Sequence, residues 1–163
     1  MRNSLALVVF LFLVGCARMG TPSPTPTAIP TPVTPQSKKV ESRWIEVVLE
    51  EQRVYLWEND RLQVSLPVST GVGISPGTTT YTGEFKVETM YPGPEETVPG
   101  VFVRDIVIFD WEHGNGFHSL PMDAHGVVLD PTVGKPASAG CIRVADSATL
   151  YAFARLGMKV IIH

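Results

Sequence analysis

The sequence predicts a mostly β domain over residues 43–163, a sandwich or barrel-like sheet with one short helix near its C-terminal end. Three observations carry this expectation. Short runs of β-forming residues recur along the span, several of them alternate apolar and polar side chains with period two, and only one segment has helical spacing.

Taken in order, Trp44-Ile45-Glu46-Val47-Val48-Leu49 and Val54-Tyr55-Leu56-Trp57 read as two strands of an opening hairpin. Asn59-Asp60 marks a turn, because both residues tolerate left-handed backbone. Leu62-Gln63-Val64-Ser65-Leu66 and Glu84-Phe85-Lys86-Val87-Glu88 alternate as half-buried strands do. Phe102 to Phe109 is a longer candidate, broken or bent near Arg104-Asp105. The helix is expected after Asp146 as N-cap, with Leu150, Phe153, Ala154 and Leu156 on one side and Gly157 as its stop. Met158 to Ile162 closes the chain as a last strand.

Residues 1–42 are of another kind. Arg2 followed by the apolar run Leu5 to Val14 suits a signal peptide over 1–15, since a bilayer-spanning helix needs about 20 residues. The run ends in Leu13-Val14-Gly15-Cys16, which resembles a bacterial lipobox whose cysteine is acylated. Cys16 is therefore the expected lipidation site and membrane anchor, because buried acyl chains hold a protein on a bilayer surface. Residues 16–42 form a Pro/Thr-rich linker, with Thr-Pro and Ser-Pro repeats from Thr21 to Gln36. Such a tract favours extended polyproline II at about 3.1 Å per residue and cannot bury a core. The expected location is at the cell envelope, lipid-anchored, with the domain held off the membrane on a stalk.

Residues 43–163 carry nine Lys or Arg against fifteen Asp or Glu, a balance of −6. Nucleic acid is excluded as a partner on that charge, and amine-bearing partners are permitted. The span has a typical length for one domain, and a monomer is expected.

With Cys16 assigned to lipidation, Cys141 is the one thiol left for chemistry, in Ser138-Ala139-Gly140-Cys141-Ile142-Arg143. A thiol attacks as thiolate, so it needs a proton acceptor, most often histidine. Four histidines are available. His163 is terminal and reads as solvated, and His113, His118 and His125 fall in the Gly-rich stretch 112–126. No Cys-x-x-Cys or His-x-x-x-His spacing is present, so no metal site and no cofactor is expected.

These residues resemble the L,D-transpeptidase catalytic domain, the YkuD-like family, whose members place a histidine upstream of a Ser-x-Gly-Cys-hydrophobic-Arg/Asn segment. The resemblance extends along the domain. Ile45 to Trp57 is similar to the family's opening hairpin, Pro67-Val68-Ser69-Thr70-Gly71 to its Pro-Val-Ser-Thr-Gly segment, and Thr82-Gly83-Glu84-Phe85 to its Thr-Gly-x-Phe.

The resemblance implies a YkuD-like β-sandwich or barrel, and acyl transfer on peptidoglycan stem peptides. Cys141 is then the nucleophile, D-Ala the leaving group, and an amine or water the acceptor. His118-Ser119-Leu120-Pro121 resembles the family's His-Ser-x-Pro variant, whereas His125-Gly126 imitates its His-Gly pair. His118 is preferred as the base because it follows a β-forming run. His125 is the alternative base, although Asp123-Ala124-His125-Gly126 reads as a hairpin tip. Backbone N–H groups around Gly140 and Cys141 are the expected oxyanion donors. Arg143 is expected to bind a substrate carboxylate or to form a structural ion pair, and Ser138 and Ser119 to orient substrate or hold their loops. Two positions depart from the pattern: Ala139 stands where many members carry histidine, and Tyr81 where many carry proline. A wall-binding lipoprotein with a weakened site and a thiol amidase or peptidase of another lineage are the alternative readings.

Overall fold

The structure is a computed structural model that describes residues 42–163. The expected leader, Cys16 and the proline-rich tract lie outside the described residues. Among the described residues there are eleven strands and one α-helix: β1 (Arg43–Val48), β2 (Arg53–Glu58), β3 (Arg61–Ser69), β4 (Gly83–Lys86), β5 (Thr89–Tyr91), β6 (Glu95–Val98), β7 (Val101–Val103), β8 (Ile106–Asp110), β9 (Asn115–His118), β10 (Ile142–Val144), α1 (Ser147–Phe153) and β11 (Lys159–Ile162). Nine strands make one sheet in the order β4-β11-β1-β2-β3-β10-β9-β8-β5, and β6 and β7 pair separately as a hairpin. The mostly β expectation with a single α-helix holds.

Period-two patterning builds the first half of the sheet. In β1, Ile45 and Val47 are buried while Trp44 and Glu46 face outward, and in β2 Val54 and Leu56 are their inward partners. On the outer face Trp44 stacks on Trp57 with ring centroids 5.7 Å apart, and Trp57 Nε1 donates to Glu46 at 2.8 Å. Asn59 and Asp60 both have positive φ, 51° and 59°, which makes the tight turn into β3.

β3 joins the two halves. It runs antiparallel to β2 along most of its length, and its last residues, Val68 and Ser69, pair with Val144 and Arg143 of β10. The sheet curls so that its ends approach: Phe85 of β4 packs on Phe109 of β8 at 5.4 Å, and Phe109 on Phe117 of β9 at 4.9 Å. Leu150 and Ala154 seal the core from the helix side.

Several elements differ from the sequence expectation. The run Phe102 to Phe109 is two strands, parted at Arg104-Asp105 where Asp105 takes φ 56°. The helix is shorter than its apolar spacing suggests. Asp146 caps it by accepting from Thr149 N at 3.2 Å, but it ends at Phe153, and Leu156 is 69% exposed. The chain must turn there to enter β11, and Gly157 (φ 76°) makes that turn while donating its N–H to Val87 O. His163 is not simply solvated, since its Nε2 lies 3.1 Å from Glu46 Oε1.

Gln52 ties the opening hairpin to the segment that carries the site. It is buried; its Oε1 accepts from Thr70 N at 3.0 Å, and its Nε2 donates to Leu49 O and Thr70 Oγ1. Gln52→Ala would leave the Thr70 amide unpaired in a buried position. We expect a loss of about 1–3 kcal/mol, read as a lower midpoint in denaturant unfolding, with the slope unchanged.

Candidate active site

The site forms where β9 and β10 run side by side. They are parallel, with Phe117 beside Ile142 and His118 beside Arg143. Cys141 stands immediately before β10, two residues from Arg143, so period-two alternation sends both side chains to the face that His118 occupies. Phe117, Ile142 and Val144 point the other way into the core. Alternation therefore delivers the Cys141 thiol and the His118 imidazole to one surface while their neighbours anchor the strands. His118, Cys141, Arg143, Ser138 and Ala139 all line one cavity of about 670 Å³.

His118 Nδ1 lies 2.6 Å from the Ser119 carbonyl oxygen. A carbonyl only accepts, so Nδ1 carries the proton and Nε2 presents a lone pair. Burial pushes the His118 pKa down, which the Ser119 carbonyl partly opposes and the Arg143 charge reinforces. Ser119 is held in turn: its Oγ donates to Leu120 O at 2.9 Å and accepts from Arg104 N at 3.0 Å.

The Cys141 sulfhydryl reaches the Gly114 carbonyl at 3.4 Å. Burial raises its pKa above the ordinary 9.0, against the opposing pull of the Gly116 N–H and the Arg143 charge. Burial thus acts in opposite directions on the two groups, and both rest neutral near pH 7. This gives a pH prediction. Alkylation of Cys141 by iodoacetamide should be slow at neutral pH and climb as pH rises through the thiol's raised pKa, with no reactive plateau on the acid side. Alkylation rates measured from pH 5 to pH 10 check it; full reactivity at pH 5 would indicate a resting thiolate.

The loop before Cys141 is clamped by the Pro-Val-Ser-Thr-Gly segment. Ala137 N and Ser138 N donate to Thr70 O, Val72 N donates to Ser138 O, and Ser69 Oγ donates to Lys135 O. Gly140 has φ 113°, and a Cβ there would sit 2.6 Å from Asn115 Oδ1, so only glycine fits. Thr80 Oγ1 donates to Gly140 O at 2.6 Å and accepts from Gly71 N, and Asn115 Nδ2 donates to Thr79 O at 3.0 Å.

Of the remaining expected residues, Ser138 is a brace. Its hydroxyl donates to the Cys141 carbonyl and accepts from Gly140 N at 3.2 Å. Of the two expected oxyanion donors, the Gly140 N–H is thus engaged within its own loop. Arg143 pairs with Asp130 at 2.5 Å, and Asp130 is held down to about 2 by Thr132 hydrogen bonds and by Arg143. His125 is exposed in a turn where Asp123 Oδ1 accepts from the N–H groups of His125 and Val127. It does not line the cavity.

Sequence reasoning missed several supports. Asp110 accepts from His113 Nδ1 at 2.9 Å, and the His113 ring packs on Tyr81 with centroids 4.0 Å apart. Together they steady the turn whose Gly114 carbonyl meets the thiol. Asn115 and Gly116 lie in the Gly-rich stretch 112–126, yet both belong to β9 and are buried. A Cβ on Gly116 would lie 2.8 Å from Ile108, so its small size lets β8 and β9 approach.

Residues 42–162 match the family model described as YkuD, L,D-transpeptidase catalytic domain. Comparison with curated proteins gives no match. Among solved structures, the chain is similar to an L,D-transpeptidase from Mycobacterium smegmatis, with 18% identity, TM-score 0.57 and coverage of 76% of this chain and 59% of that one. A fused Zn-dependent amidase/peptidase/peptidoglycan-binding domain-containing protein from Clostridium acetobutylicum is 26% identical, with TM-score 0.57 and coverage of 75% and 52%. The catalytic domain of an Enterococcus faecium L,D-transpeptidase is 20% identical, with TM-score 0.51 and coverage of 77% and 99%. The chain thus spans somewhat more than half of the first two and nearly all of the isolated catalytic domain.

Proposed function

Because this chain belongs to the L,D-transpeptidase catalytic domain family, we propose that it acylates Cys141 with a peptidoglycan stem peptide and passes the acyl group to an amine or to water. What supports this most is one arrangement: Cys141 and His118 line the same cavity, with the imidazole held by the Ser119 carbonyl so that Nε2 is free to accept a proton.

The steps follow from that arrangement. Cys141 Sγ attacks the carbonyl of the third residue of a tetrapeptide stem, and His118 Nε2 takes the thiol proton as the C–S bond forms. The Cys141 N–H donates to the developing oxyanion, since the neighbouring Gly140 N–H is engaged by Ser138. The C–N bond to D-Ala breaks, His118 returns its proton to the leaving amine, and a thioester remains. An amine from a second stem then attacks, His118 takes its proton, and the thiol is regenerated with a cross-link between two third residues. Water in place of the amine gives a trimmed tripeptide. The Gly116 N–H and the Arg143 charge favour thiolate at the moment it forms, and Arg143 opposes a long-lived imidazolium.

Incubation with a defined tetrapeptide muropeptide, followed by mass analysis, tests this reading. Released D-Ala with dimer or tripeptide supports it, and an unchanged substrate contradicts it. The second reading, a wall-binding lipoprotein with a weakened site, rests on Ala139, which lines the cavity without offering a hydrogen bond. A carbapenem adduct on Cys141 would rule that reading out. Lipidation at Cys16 and a domain facing the cell wall complete the proposal, and an acylated N-terminal peptide found by mass analysis would support the anchor.

A further inference from the structure

The β6–β7 hairpin stands apart from the main sheet and supplies one wall of the cavity, through Glu95, Thr97, Val98, Val101 and Val103. The rest of that side is apolar or aromatic. Tyr91, Val98 and Trp111 line the cavity yet are 43%, 56% and 63% exposed, so they form a mouth that a bound peptide would cover.

Two of the lining residues carry full charges, Arg143 and Glu95. The Arg143 charge is taken up by Asp130 at 2.5 Å. The Glu95 carboxylate has no hydrogen bond or ion pair with any described residue; the backbone of Glu95 pairs with Val103. The cavity therefore presents one uncompensated charge, and it is negative. Its neighbour Glu96 points elsewhere, accepting from Gly100 N at 2.8 Å, and does not line the cavity.

We propose that Glu95 forms an ammonium subsite that selects donor stems whose third residue bears a free side-chain amine. The inference rests on the reading of the chain as an acyltransferase on stem peptides. The donor is preferred over the acceptor on chemical grounds. A carboxylate stabilises the ammonium form, and an ammonium has no lone pair with which to attack the thioester. Glu95 thus suits an amine that is carried along, and opposes one that must react.

The test compares two tetrapeptide donors, one with lysine at the third position and one with Nε-acetyl-lysine, by the kcat/KM of D-Ala release. The protein is expected to prefer the lysine donor about 2- to 5-fold, in the range of an exposed ion pair. Glu95→Gln should bring that ratio close to 1, and Glu96→Gln, the same charge change one residue away, should leave it at the starting value. A retained preference in Glu95→Gln overturns the subsite. So does a starting protein with no preference. Binding of both donors to Cys141→Ala protein by calorimetry needs no turnover, and should show the same preference. Equal affinities there overturn the subsite, whereas donors that bind with the expected preference but release no D-Ala count against the acyltransferase reading instead.

Discussion

Replacing Cys141 by serine is expected to lower D-Ala release by about 10⁴-fold or more, with the fold intact, because members of a catalytic unit fail together when one is removed. The side chains differ by one atom, so packing against the Gly114 carbonyl and the Gly116 N–H is nearly preserved. The chemistry is not preserved. A hydroxyl is far less acidic than a thiol, and His118 is a weak base here because burial has lowered its pKa. A weak base suffices for sulfur and fails for oxygen. The check is single-turnover release of D-Ala together with a thermal melt. A serine variant with more than a few per cent of activity would show that Cys141 is not the nucleophile.

His118→Ala is expected to reduce acylation by about 10²–10⁴-fold, the usual contribution of a positioned acid–base group, while His125→Ala leaves it unchanged. The contrast follows from location. His118 ends β9 beside Arg143 and faces the thiol's cavity, whereas His125 is exposed in a turn outside it. The pH profile carries a second signature. The base must be neutral to accept the thiol proton, so activity falls as pH drops through the His118 pKa. Burial lowers that pKa, so the acid limb of kcat/KM should lie below the ordinary histidine value of 6.5. An acid limb above 6.5, or loss of activity in His125→Ala, would contradict the assignment.

Much of the fold was legible because burial and period-two alternation coincide in the first half of the sheet. Ile45, Val47, Val54 and Leu56 announce themselves by pattern and are all fully buried. The short strands were harder. β10 is three residues long, and β9 begins Asn-Gly, a pair that in isolation signals a turn. Both are strands because their neighbours in the sheet complete their hydrogen bonds, which no local pattern reveals. The β6–β7 hairpin is exposed on every residue of β6, so it lacked the alternation that marks a half-buried strand.

The site divides in the same way. Cys141 and His118 stand out by residue type and by motif, and the structure brings both to one cavity. Their supports were hidden by distance along the chain. Thr80 reaches Gly140 across 60 residues, and Gln52 reaches Thr70 across 18. Asp130, which engages Arg143, lies in the long connection that the parallel β9–β10 pairing demands. The engagement of the Gly140 N–H is local: Ser138 sits close enough to accept it.

Whether Cys141 carries the acyl group is decided by intact-protein mass analysis. The protein is mixed with a tetrapeptide stem ending in D-Ala, quenched in acid and weighed, then digested to locate the adduct. The expected result is a gain equal to the tripeptide acyl group, on the peptide containing Cys141 and removed by hydroxylamine. An adduct that retains D-Ala, one on another residue, or no adduct while D-Ala is released would contradict it.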